Sequence, residues 1–370
     1  MRKTACLLVF ILSTGILLTA MNQAFVNKIK KDRYFDHLTP PGVYHRSLYY
    51  RLFVRSDRWR YGDLYGLSFL PDYKLKLEPF RVYNRNSRQP ATGRILYIIG
   101  DSYLADKSLD GAFGKFDEVH FLDRRFPFGP IALDSTKQNY LIMEFAERNL
   151  PDYDIKKTVE KRWSQAGITA GSNFKAMPKN DGTDDPDLPK TFAARINKAA
   201  FNKDLSRNLE LLLFDDKLFT PLKELKATIN YMLFGRVAKE VAVSTDKKRL
   251  LLNITVDTSY RESAFRNLSD HELRLLVDRL DDAKKYYFSI GFKRVFLSVV
   301  PNAVSIYDAK RMPYNHLLEQ VEQNNRFPVI SVYDQFRNCP DNLYYRSDAH
   351  WNPKGLDIWV SQVNKSADTW

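Results

Sequence analysis

Short apolar runs alternate with amphipathic stretches over two parts of this chain, 94–150 and 269–365. Residues 94–100 read Arg-Ile-Leu-Tyr-Ile-Ile-Gly, an apolar run with a glycine at its end and another, Gly93, before it. A short run with no polar alternation predicts a strand buried on both faces. Residues 118–123 and 140–146 predict a second and a third strand, and 294–300 and 329–334 two more. Helical signals lie between them. Ser269 followed by Glu272 is a capping box. Leu273, Leu276, Val277 and Leu280 then share one face of a helix running to about 290, where Gly291 stops it. Another helix is predicted near 314–325, and Asn352 with Pro353 marks the cap and first position of a last one. Strands alternating with helices predict an α/β domain with a doubly wound, mainly parallel sheet.

The remaining segments lack this rhythm. Residues 22–90 are rich in Arg, Tyr and Pro with little periodicity, as at Pro40-Pro41-Gly42, and predict an irregular lead-in packed on the main domain. Within 151–260, residues 167–189 are a loop rich in Gly, Asn, Asp and Pro. An amphipathic helix is predicted around 205–214, and 248–254 predicts an added strand. The expected organisation is therefore a leader over 1–22, a lead-in over 23–93, and an α/β domain over 94–370. That domain would carry an insertion or lid at about 151–260. Internal repeats, heptads and low-complexity tracts are absent from the sequence.

Arg2 and Lys3 precede an uncharged apolar stretch from 4 to 21, about long enough to cross a bilayer as a helix. It predicts a membrane helix acting as a signal anchor, or a signal peptide with Ala20 as the small residue for cleavage. Either way the globular part is expected outside the cytoplasm, in the periplasm or cell envelope. The formal charge of +13 fits a spread-out basic surface or attraction to an anionic envelope, glycan or membrane surface. No nucleic-acid motif accompanies that charge, so DNA and RNA are not expected partners. Cys6 lies in the leader, which leaves Cys339 alone in the globular part and no intrachain disulfide there. The histidines are scattered, with no grouping that predicts a metal site, and no cofactor is expected.

Two motifs carry chemistry. Gly100-Asp101-Ser102 closes the first predicted strand, and Asp348-Ala349-His350-Trp351 stands just before the last helix. In an open α/β sheet, reactive groups collect at the C-terminal ends of strands. A serine hydroxyl is a weak nucleophile until a histidine accepts its proton and a carboxylate holds that histidine. Gly-Asp-Ser alone is a common cap and Asp-x-His alone is modest. Together, at opposite ends of one α/β pattern, they predict Ser102 as nucleophile, His350 as base and Asp348 as its orienter. A helix following Ser102 would offer its N-terminal amides to an oxyanion.

These blocks resemble the SGNH or GDSL hydrolase superfamily. The variant Ser347-Asp348-Ala349-His350-Trp351-Asn352-Pro353 with Gly355 is closer to its exported, polysaccharide-modifying branch, which includes relatives of the alginate O-acetyltransferase proteins. The resemblance covers roughly 94–150 and 269–365. It implies a three-layer α/β/α fold and transfer or hydrolysis of O-acyl groups, most readily O-acetyl, on an extracytoplasmic glycan. An acyl donor or a membrane acyl carrier would then be a partner.

The sequence also departs from that family. Its Gly-x-Asn-Asp block is missing, and Glu147-Arg148-Asn149-Leu150 follows the third strand instead. Asn149 or Arg148 is a candidate oxyanion donor there, although Arg148 could equally pair with Glu144 or Glu147 on the surface. Arg124, Arg125 and Gly129 stand where the superfamily's glycine would lie. The serine precedes the Asp-x-His, as in the ordinary esterases and unlike the alginate relatives. Tyr345 and Trp351 are candidate sugar-binding aromatics, with packing as the plainer fate of both. The rival to an enzyme is a non-catalytic envelope protein of the same fold that binds glycan or an assembly partner.

Overall fold

The computed structural model describes residues 2–36, 47–83, 91–105, 107, 109–125, 133–157 and 201–370. The chain divides into two compact units, one formed by Met1–Lys76 with Lys179–Ala238, the other by Leu77–Pro178 with Lys239–Trp370. This division differs from the boundaries expected at 93 and at 151–260. Within the expected insertion, 179–238 groups with the N-terminal segment, whereas 151–178 and 239–260 belong with the sheet. The loop expected at 167–189 lies outside the described residues.

The first unit is helical. Helix α1 (Arg2–Met21) has 20 residues and is long and apolar enough to cross a membrane. Helix α2 (Gln23–Phe35) follows at once, capped by Asn22, whose side chain accepts from Phe25 N. Thus 23–35 is helical rather than irregular. Its apolar positions are few, yet Val26 and Ile29 are fully buried against Leu211. The short helix α3 (Asp63–Ser68) comes next, then α4 (Leu205–Phe214), on the span its periodicity predicts, and α5 (Thr220–Phe234). Arg33 joins the ends of this unit's sequence. Its guanidinium is buried and donates to Phe53 O at 2.5 Å, Leu211 O at 3.2 Å and Asp215 Oδ2 at 3.2 Å.

The second unit is α/β. Strands β1 (Arg94–Gly100), β2 (Glu118–Asp123) and β3 (Gln138–Ala146) pair in the order β2-β1-β3. Strand β6 (Arg294–Val300) lies beyond β3, and every pair in this sheet is parallel. The run at 248–254 does not join it. Strand β5 (Leu250–Leu252) pairs, among the described residues, only with β4 (Val241–Val243), antiparallel, in a separate hairpin. The strand expected at 329–334 shrinks to one parallel bridge, Leu297 with Val329, before the chain turns into a helix at Tyr333.

Helices cover both faces. Helix α6 (Asp270–Ser289) starts at the capping box, with Ser269 Oγ accepting from Glu272 N and Glu272 accepting from Ser269 N. Helix α7 (Ala303–Tyr307) is short. Leu276, Leu280 and Tyr287 of α6 pack with Leu318 and Val321 of α8 (Leu317–Asn324) against Tyr97, Ile99, Leu141 and Met143. The opposite face buries Leu96, Ile98, Tyr140 and Phe296 under α9 (Tyr333–Asn338) and α10 (Pro353–Ala367), through Phe336, Leu356, Trp359 and Val363. Alternate residues of β1 thus serve different cores, which is why its sequence shows no polar alternation. The chain leaves β1 for β2 on one side and returns to β3 on the other. Connections diverge between β1 and β3, the switch point where open α/β sheets bind ligands.

The segment before α10 is fastened at several points. Tyr344 bridges Trp351 antiparallel, Asn352 N donates to Leu343 O at 2.9 Å, and Asn352 Oδ1 accepts from Gly355 N at 3.1 Å. At Gly355 an added Cβ would meet Leu343 O at 2.6 Å and Trp351 Cβ at 2.8 Å. Gly355→Ala should therefore cost about 1–3 kcal/mol, as overpacking does. The midpoint of tryptophan-fluorescence unfolding in urea reads this, and an unchanged midpoint would show that the loop has room.

Candidate active site

Ser102 stands two residues beyond the end of β1, in a turn over 102–105. Close packing demands glycine just before it, since a Cβ on Gly100 would meet Glu144 Oε2 at 2.7 Å and Phe121 Cε2 at 2.9 Å. Asp101, the residue between, is 1% exposed. Its carboxylate accepts from Tyr103 N at 3.0 Å, Ala146 N at 2.9 Å and Asn149 Nδ2 at 2.7 Å. Asp101 N in turn donates to Glu144 Oε2 at 2.9 Å. The end of β1 is thereby tied to the end of β3.

His350 arrives from the fastened loop before α10. Its Nε2 is 2.8 Å from Ser102 Oγ and its Nδ1 is 2.6 Å from Asp348 Oδ1. Asp348 Oδ1 also accepts from the His350 backbone N at 2.9 Å. With Nδ1–H donated to the carboxylate, Nε2 is left as the acceptor for the serine hydroxyl. The His350 and Asp348 side chains are 24% and 13% exposed, so the pair is shielded yet open to a reactant. Tyr103 braces the same loop. Its hydroxyl donates to Ala349 O at 2.7 Å, its carbonyl accepts from Trp351 Nε1 at 3.0 Å, and its ring lies 5.0 Å from that of His350. The structure thus brings Ser102, His350 and Asp348 into one hydrogen-bonded line. An arrangement of this kind can transfer the serine proton to imidazole while the carboxylate stabilises the imidazolium.

The oxyanion side departs from expectation. No helix begins in the described residues between Ser102 and β2. The amides that follow are engaged within the turn, Tyr103 N with the Asp101 side chain and Leu104 N and Ala105 N with Asp101 O. Ser102 N–H itself has no hydrogen-bond partner among the described residues. Asn149 directs one Nδ2 hydrogen to Asp101, and Arg148 Nη1 donates to Tyr103 OH at 3.3 Å. Glu144 and Glu147, the alternative partners considered for Arg148, are both buried rather than on the surface. Arg124 Nη2 donates to Ile99 O at 3.0 Å and its guanidinium stacks 3.6 Å from the Phe145 ring centroid. Gly129 lies outside the described residues.

The aromatic candidates part company. Trp351 is fully buried in the core beneath α10, because its indole is held between Tyr103 and Phe336, and it has no surface left for a sugar. Tyr345 is half-buried, donates its hydroxyl to Glu78 O, and meets the edge of Phe80 at 6.2 Å. The sequence marked Asp101, Tyr103, Glu144 and Glu147 with nothing beyond their nearness to Ser102 and Asn149. The contacts of Asp101 and Glu144 depend on β1 and β3 being neighbours, those of Tyr103 on the loop before α10 and those of Glu147 on the chain after β6, none of which a local pattern states.

Two buried acids frame the site. Burial pushes the Glu144 carboxyl well up, with the neighbouring Asp101 charge adding to it. Burial likewise raises Glu147 to about 7, against hydrogen bonds from Asn302 N and Ser305 Oγ, each at 2.7 Å. Ser305 also lines a 690 Å³ cavity with Tyr307, Asp308, Tyr314 and Arg337, and none of Ser102, Asp348 or His350 is among its lining residues. No family model, curated relative or solved structure matches this chain.

The raised Glu147 carboxyl makes stability fall as pH rises. The folded chain holds this proton where the unfolded chain, with an ordinary carboxyl at 4.5, has lost it. Its contribution to stability is therefore present below about pH 4.5 and is lost as pH rises towards about 7, by on the order of 3 kcal/mol. Glu322, also raised to about 7, titrates over the same range. Glu147→Gln should flatten the fall in urea stability between those pH values without abolishing it. A slope identical to wild type would place Glu147 outside the effect.

Proposed function

We propose that this chain is an exported serine-dependent enzyme of SGNH type that moves or removes an acyl group, most readily O-acetyl, on an extracytoplasmic glycan. The observation that carries this reading is the hydrogen-bonded line from Ser102 Oγ through His350 to Asp348 Oδ1. Its position at the β1/β3 switch point of a parallel sheet adds support. In the first step Ser102 Oγ attacks the acyl carbonyl, the hydroxyl proton passes to His350 Nε2, and the imidazolium returns it to the departing oxygen. The acyl-serine is then attacked by a sugar hydroxyl or by water, whose proton His350 accepts before Ser102 is released with its own proton restored. Ser102 N–H is the donor best placed by chain position to face the oxyanion, since the amides after it are engaged. Helix α1 supplies the membrane anchor. The glycan and the acyl donor or membrane carrier are partners implied by this reading.

The rival is a binding protein that keeps the same fold without turnover. It draws on Asn149, whose amide is tied to Asp101 instead of standing ready beside Ser102. Turnover of an activated acetyl ester by the full chain separates the two. Ser102→Ala should abolish it, and Asp348→Asn should lower kcat by roughly 10⁴ while leaving urea stability little changed. Ser102→Ala with wild-type turnover would refute the enzyme reading, and no turnover in a folded wild type given activated esters and acetylated glycans would favour the binding protein.

A further inference from the structure

Helix α5 is amphipathic the wrong way round for a helix packed in water. Its inward side is polar. Glu224 accepts from Tyr65 OH at 2.7 Å and pairs with Lys74 at 3.0 Å, and Lys223 pairs with Asp215 at 2.8 Å. Its outward side carries Leu222, Leu225, Ile229, Met232 and Leu233, extended by Leu218 in the turn before it, all between 44% and 78% exposed. These positions step by three or four residues and so form one continuous stripe. A soluble unit rarely leaves an apolar stripe of this length in water.

The same compact unit contains α1. Asn208 of α4 donates to Ala20 O at 2.9 Å and to Gln23 Oε1 at 2.9 Å, so α4 is seated at the C-terminal end of the apolar helix. Helix α5 follows α4 after a single short turn, Lys217–Phe219. A bilayer crossed by α1 would have its headgroup boundary at that end. Lys226 stands among the exposed positions of α5, and Lys217 and Arg236 flank its two ends. Long cationic side chains so placed reach phosphate headgroups while an apolar face enters the acyl boundary.

We infer that α5 is an interfacial membrane helix whose Leu222–Ile229–Met232 face lies in the leaflet reached by the C-terminal end of α1, with anionic lipid headgroups as its polar partner. The inference rests on α1 as a membrane span and is independent of the chemistry at Ser102. It makes the first unit a two-point membrane foot, one helix crossing and one lying flat. Covering the stripe with lipid removes the exposure without a second protein.

The test uses the full chain with Cys6→Ser and Cys339→Ser, and one new cysteine at a time carrying an environment-sensitive dye. Leu225→Cys, Ile229→Cys and Met232→Cys report the outward face, and Ala227→Cys the inward one. Each protein is reconstituted into phosphatidylethanolamine–phosphatidylglycerol vesicles with and without brominated acyl chains, and circular dichroism checks that each is folded. The three outward labels should lose at least about half their emission to the brominated lipid, as expected of an interfacial face seated about 5–10 Å deep, while Ala227→Cys loses little. Outward labels that brominated lipid leaves unquenched would overturn the inference. Disulfide dimers formed by unlabelled Met232→Cys in the same vesicles on copper–phenanthroline oxidation would assign the face to a second copy and overturn it equally.

Discussion

The carboxylate of Asp101 is the constraint on which the candidate site depends. A carboxylate with almost no exposure is costly unless hydrogen bonds replace its lost water. Here a backbone amide from its own turn, another from the end of β3 and the Asn149 side chain supply them. These bonds set the direction in which the chain leaves β1 and thus where Ser102 stands. They also engage the groups that sequence would assign to an oxyanion. The neighbouring Glu144 sits beneath Gly100 and accepts from Asp101 N, and burial together with the Asp101 charge raises its carboxyl well above the ordinary range.

The loop that brings His350 is held as firmly. Tyr344, Trp351 and Trp359 are among the largest fully buried side chains, and Trp359 Nε1 donates to Ser298 Oγ at 3.0 Å across the sheet face. Aromatic bulk in this chain therefore serves to fix a loop by packing as much as to fill a core. Pre-positioning by a rigid surround is what an acyl-transfer site requires, because small displacements of a base cost large factors in rate.

Much of the sheet unit was legible in the sequence. The apolar runs at 94–100 and 294–300 fall on β1 and β6, the capping box at Ser269 starts α6, and Asn352–Pro353 opens α10. Those signals are local, carried by side-chain periodicity and caps. Ser102, Asp348 and His350 were legible because each sits at an element boundary that local pattern marks. The failures are non-local. Helix α2 has too few apolar positions to show a period, and buries Val26 and Ile29 only because Leu211 arrives from far along the chain. The run at 248–254 is apolar enough for the sheet, yet β4 pairs it elsewhere. The binding of Asn149 to Asp101 follows from strand order, which periodicity does not encode.

Whether Ser102 is an activated nucleophile is read out by fluorophosphonate labelling of the full chain. One stoichiometric adduct is expected, located on Ser102 by peptide mass spectrometry, absent from Ser102→Ala and lost or greatly slowed in His350→Ala. Labelling at another residue, or labelling of Ser102 at the same rate without His350, would contradict an activated Ser102.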